Sequence, residues 1–124
     1  MTLTPFQATS QLPLILPQAN TDLQPGSRLI GLLGYEVDRV TAARPANIKT
    51  IGHSPYQFQR QTRYSDMTLY QAKSGAIVFA TGSIEWSWGL DDFNAPQLRP
   101  SYLSASAQQL TRNVLARLKK AGRP

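Results

Sequence analysis

The sequence predicts a small α/β chain with a few β-strands, two of them a hairpin, and one C-terminal helix. Three observations carry this. Arg28–Glu36 is a mostly apolar run of strand length. Residues 67–81 hold two short runs rich in β-formers around a Lys-Ser-Gly turn. Residues 105–120 place Leu110, Val114, Leu115 and Leu118 on one helical stripe.

Each element follows in chain order. Residues 1–27 hold Pro5, Pro13, Pro17 and Pro25, too many for a helix or a central strand, and read as an irregular arm or linker. Pro25-Gly26 makes a turn. Arg28–Glu36 reads as a buried strand, with Gly31 and Gly34 marking close backbone approach or a bulge. Val37–Ala46 reads as a loop and Asn47–Ser54 as a second strand. Pro55–Asp66, polar and aromatic, reads as a loop. Met67–Ala72 and Ala76–Thr81 flank Lys73-Ser74-Gly75 as a hairpin. Gly82–Pro100 reads as a loop carrying Trp86 and Trp88. Ser104 or Ser106 caps the helix, Arg117, Lys119 and Lys120 suit its carboxyl end, and Gly122 stops it. The domain expectation is therefore an arm over 1–27, a body over 28–120 and a tail over 121–124.

The chain has 124 residues, 41% hydrophobic and 16% charged, which excludes a charge-rich disordered chain and bounds it to one domain. Its net charge of +6 suggests nucleic acid at first sight. The excess is local: residues 94–124 carry six basic side chains and no acid, whereas 28–93 carry seven against six. No aromatics interleave with that basic helix end as stacking platforms would, so a solvated helix face is favoured over a nucleic-acid partner. No cysteine is present, so disulfides, thiolate metal sites and a Cys nucleophile are excluded. No apolar run reaches the roughly 20 residues of a membrane span, and Leu12–Pro17 lacks the basic flank of a signal peptide. The expectation is a soluble, cytoplasmic chain without a membrane partner.

Candidate chemistry lies in two clusters. Gly82–Asp92 follows a strand and places Glu85 beside Trp86 and Trp88, where burial can tune a carboxyl group. The alternative is that the tryptophans pack helix on sheet and Glu85 is solvated. Gly34–Arg39 places Glu36 and Asp38 at the end of an apolar strand, a place suited to a general acid or base. The alternative is a salt bridge to a nearby arginine. His53, the only histidine, is either a hydrogen-bonded turn residue, the favoured reading, or a general base or ligand. No phosphate loop, His-Glu-x-x-His or nucleophile elbow occurs.

Residues 34–39 (Gly-Tyr-Glu-Val-Asp-Arg), 68–91 (from Thr-Leu-Tyr-Gln-Ala-Lys-Ser-Gly to Ile-Glu-Trp-Ser-Trp-Gly-Leu-Asp) and 108–115 together resemble the C-terminal domain of the large (beta) subunit-like family of N,N-dimethylformamidase. The resemblance runs over about residues 28–118, most specifically from Tyr70 to Asp91. It implies the terminal portion of a glutamine-amidotransferase-like fold, supplying the last strands and closing helix. It implies hydrolysis of a tertiary amide to an amine and formate, with an iron held by two tyrosines and a glutamate lying mainly upstream. No metal or other cofactor is then expected in this chain. Glu36 is the implied active-site glutamate; family members often carry Gln where Glu85 stands, which weakens a catalytic role there. Tyr35, Trp86 and Trp88 are the implied apolar walls for an amide that lacks an N–H. Four strands and one helix make an incomplete layer. The expectation is thus a C-terminal domain or fragment of such a hydrolase, inactive in isolation, needing an upstream α/β domain or partner subunit. The alternative is a non-catalytic accessory module that packs on a partner chain.

Overall fold

The computed structural model describes residues 4–11 and 21–121. It is a mixed α/β structure of five strands in two small antiparallel sheets with one C-terminal helix. β1 (Thr4–Gln7) pairs with β2 (Arg28–Leu33). β3 (Lys49–Phe58), β4 (Gln61–Gln71) and β5 (Ile77–Ala80) form a meander in that order. A 3-10 helix (Ile84–Gly89) and α1 (Ala105–Ala121) follow.

β1 corrects the expectation of an irregular arm over 1–27. Its proline sits where the register with β2 shifts, between Thr4 and Phe6, a place where proline costs no ladder bond. Phe6 and Ala8 alternate inward and are 2% and 3% exposed. Ala8 also bridges to Gly52 and Thr9 N donates to Ile51 O, which ties the first sheet to the edge of the second. Pro13 and Pro17 lie outside the described residues.

The second correction concerns Pro55–Asp66, which is the tip of a hairpin rather than a loop. β3 and β4 pair from Lys49–Leu69 to Phe58–Gln61. The two-residue connection is Gln59-Arg60, both left-handed, with φ of 49° and 64°. That backbone suits the twist of a hairpin, although neither residue carries the Asn-Gly signature that announces it. Pro55 is tolerated because β3 is an edge strand of its sheet. The expected 67–81 hairpin is present, β4 pairing with β5 from Thr68–Ala80 to Gln71–Ile77.

The core lies between the sheets and α1. Phe6, Leu32, Ile51, Met67, Leu69, Trp86, Leu110 and Val114 are buried together. Ser104 caps α1, its Oγ accepting from Ala107 N at 3.1 Å. Ser106 instead donates to Asp22 Oδ1. Leu110 and Val114 point inward and Leu118 packs beside them, whereas Leu115 is 58% exposed. Lys119 and Lys120 occupy the last turn; Gly122 lies outside the described residues. Among the described residues no helix is long and apolar enough to cross a membrane.

Candidate functional site

β2 ends at Leu33, and the chain then needs to turn across the mouth of the 3-10 helix. Four hydrogen bonds and one bridge fix that crossing. Gly34 N donates to Ser83 Oγ (3.1 Å), Glu36 N to Gly34 O (2.8 Å) and Ile84 N to Glu36 O (3.1 Å). Asp38 N donates to Gly82 O (3.0 Å), and Val37 bridges to Ser83. The same Ser83 Oγ accepts from Glu85 N (3.2 Å) and caps the 3-10 helix. Tyr35 adopts a left-handed φ of 57° at the crest, which turns its ring outward; it is 87% exposed.

This strap sets Glu85 against Gly34. A Cβ built on Gly34 would lie 2.5–2.6 Å from the carboxyl carbon and both oxygens of Glu85, so only glycine fits beneath that carboxyl group. Glu85 is 7% exposed, and among the described residues no ion pair reaches it. Burial therefore pushes its carboxyl above the ordinary value of 4.5 and favours the neutral form.

Glu85 opens onto a cleft of about 870 Å³. Tyr35, Glu36, Tyr56, Phe58, Arg63, Trp88, Arg99 and Tyr102 line it. Trp88 anchors one wall: Tyr35 meets it edge-on (5.7 Å between centroids), Tyr102 stacks on it (6.1 Å), and the Arg99 guanidinium lies 5.1 Å above its ring. Arg99 is held there by Asp91 O at 2.8 Å and Pro100 O at 3.2 Å. Arg63 lies 4.6 Å over Phe58. Phe93 and Leu98, 76% and 79% exposed, stand with Tyr35 and Trp88 around an adjoining hollow.

The fold thus brings Tyr35, Glu36, Glu85 and Trp88 together and leaves Trp86 out. Trp86 is 3% exposed and belongs to the core. Its ring meets Phe6 edge-on at 5.1 Å, and its Nε1 donates to Thr111 Oγ1 of α1 at 3.0 Å. Glu36 is exposed at the rim. No salt bridge to Glu36 or Asp38 occurs among the described residues. His53 lies outside the cleft, within β3, bonded to Asp66. Tyr56, Phe58 and Arg63 escaped the sequence reading because their segment was read as a loop. The aromatic alternation Tyr56, Phe58, Tyr64 was the available signal for strand.

Chemically, the cleft offers a carboxyl group whose proton burial holds more tightly, a second carboxyl group exposed at the rim, flat aromatic walls and two guanidinium groups. Among the described residues no three His, Cys, Asp or Glu side chains come together.

No curated protein and no solved structure matches the chain. A family model does, described as N,N-dimethylformamidase beta subunit-like, C-terminal, over residues 16–100. That span includes the strap, the 3-10 helix and every lining residue of the cleft except Tyr102, and it ends before α1. By this match the chain belongs to the N,N-dimethylformamidase beta subunit-like C-terminal family.

Proposed function

We propose that the chain is the C-terminal module of a dimethylformamidase-like amide hydrolase and is inactive alone. In this reading it forms the closing part of a glutamine-amidotransferase-like body and supplies one wall of the active site. The observation that supports it is the buried carboxyl of Glu85, without an ion pair among the described residues, facing an aromatic cleft within the family-matched span.

Amide hydrolysis needs a proton delivered to the departing nitrogen, because an amide anion is a poor leaving group. Glu85, whose proton burial holds more tightly, is suited to donate that proton. Glu36 at the rim is suited to accept one from the attacking water. Tyr35, Trp88 and Tyr102 offer apolar faces to a tertiary amide, which has no N–H to satisfy. Iron, if the assembled enzyme holds it, would supply Lewis-acid polarisation of the carbonyl; the reading assigns its ligands to residues outside this chain.

The test uses a complete enzyme of the family as well as this chain. The chain alone is expected to release no dimethylamine from dimethylformamide. In the complete enzyme, Gln at the position matching Glu36 is expected to abolish turnover while iron stays bound, and so is Gln at the position matching Glu85 in an enzyme that carries Glu there. Full turnover in both variants would remove these carboxyls from the chemistry. A second reading, an accessory module packed on a partner chain, draws on Tyr35, Phe93 and Leu98 exposed at the cleft mouth. It gains if turnover survives both changes but is lost when Leu98 is made Glu.

A further inference from the structure

His53 stands apart from the cleft and is unusually well held. It lies opposite Asp66 across the β3–β4 ladder, and its Nδ1 is 2.6 Å from Asp66 Oδ1. Asp66 is 6% exposed. Its second oxygen, Oδ2, accepts from Val40 N at 2.7 Å, and its own N donates to Asp38 O at 2.8 Å. The carboxylate therefore cannot swing away. On its flank the imidazole stacks on Tyr64, 4.0 Å between centroids and 7° from parallel. One contact fixes the ring's direction and the other fixes its plane.

This arrangement decides which nitrogen is free. An Asp carboxylate accepts, so Nδ1 carries the proton and, in the neutral ring, Nε2 carries the lone pair. The His53 side chain is 47% exposed. It borders a hollow of about 370 Å³ also lined by Arg39, Val40, Gln61 and Thr62. A merely structural histidine needs neither a buried, doubly anchored carboxylate nor an open Nε2. An oriented nucleophile or base needs both.

We propose that His53 and Asp66 form a second reactive centre, in which Nε2 of His53 accepts an acyl group from small activated esters whose leaving group departs as a stable anion. The Nε2 lone pair forms a bond to the carbonyl carbon. The carbon–oxygen bond to the leaving group breaks, and that oxygen leaves with the electron pair. The ring becomes an acyl-imidazolium that keeps its Nδ1 proton, and Asp66 stabilises the positive charge. Water then attacks the carbonyl carbon and gives up one proton to solvent, the carbon–nitrogen bond returns its pair to Nε2, and a carboxylic acid leaves and loses a second proton to solvent. Arg39 at the rim favours donors that carry or develop negative charge. Nothing in this step uses the cleft or rests on the amide-hydrolase reading.

The experiment is hydrolysis of 4-nitrophenyl acetate by the whole chain, followed by release of 4-nitrophenolate. The wild-type chain is expected to exceed equimolar free imidazole by on the order of 100-fold, the order that a positioned imidazole adds. His53→Gln is expected to lose all of that excess, and Asp66→Asn to fall to the level of free imidazole. Asp66 also anchors Val40, so an unfolded variant would mislead. The wild-type chain is therefore also treated with diethyl pyrocarbonate, which meets a single histidine here. The excess should vanish on treatment and return with hydroxylamine. A wild-type rate no greater than that of His53→Gln, an excess that survives modification, or a folded Asp66→Asn chain at full rate would each overturn the proposal.

Discussion

Replacing Gly34 by Ala tests whether the packing of Glu85 against the β2 end is as close as the structure has it. The φ of Gly34 lies outside the left-handed range, so alanine meets no backbone strain there. The cost is spatial. The three atoms nearest to a built Cβ are Oε1, Cδ and Oε2 of Glu85, at 2.5, 2.6 and 2.6 Å. Carbon and oxygen prefer separations near 3.5 Å, so the carboxyl must move by about 1 Å or the strap must open. Overpacking of this kind costs about 1–3 kcal/mol. For a chain of this size that lowers Tm by roughly 4 °C per kcal/mol. All three contacts belong to one side chain, so the penalty should vanish once that side chain is truncated. Urea unfolding, followed by the fluorescence of Trp86, is measured for wild type, Gly34→Ala, Glu85→Ala and the double variant. The expected coupling is about 1–3 kcal/mol, with the double variant more stable than the sum of the singles allows. An equal cost of Gly34→Ala in both backgrounds would refute the contact.

Three further outcomes follow from the same geometry. Because burial raises the Glu85 carboxyl above 4.5, folding binds its proton more tightly than the unfolded chain does. The stability this contributes is present below pH 4.5 and is lost as pH rises through the folded value. Glu85→Gln should remove this loss, so its urea midpoint gains on wild type between pH 4.5 and pH 7; a constant difference would refute the burial argument. Gln59→Asn with Arg60→Gly relieves two left-handed φ values and should stabilise by about 1 kcal/mol, read as a higher Tm. Trp86→Ala empties the core beneath α1 and should cost about 3–5 kcal/mol, visible as a collapse of the urea midpoint.

The elements set by local chemistry were legible. The 67–81 hairpin announced itself through Lys73-Ser74-Gly75, and α1 through Ser104 and the Leu110/Val114 stripe. The close approach expected at Gly34 is real, and its partner is Glu85. What failed was set by distant contacts. β1 exists because Phe6 and Ala8 find Trp86 and Gly52 far along the chain, and proline counting cannot see that. The long β3–β4 hairpin turns on Gln59-Arg60, whose left-handed backbone is imposed by the paired strands rather than favoured by the residues themselves. Trp86 and Trp88 are two apart and looked equivalent. The 3-10 helix separates them, sending the first into the core and the second to the cleft.

The placement of the two glutamates carries the remaining argument. Glu36 and Glu85 are 49 positions apart in sequence, yet the strap bonds through Ser83 and Ile84 tie their backbones into one turn. A single fold feature then gives the two carboxyls opposite surroundings, one sealed against Gly34 and one left in water. Burial costs the ionised form of the first. The division depends on glycine at position 34, because any larger residue would lift the Glu85 carboxyl toward solvent and make the two alike. Gly34→Ala should therefore also reduce the pH dependence of stability that Glu85→Gln removes. If Gly34→Ala lowers stability but leaves that pH dependence at its wild-type size, the seal on Glu85 is not made by Gly34.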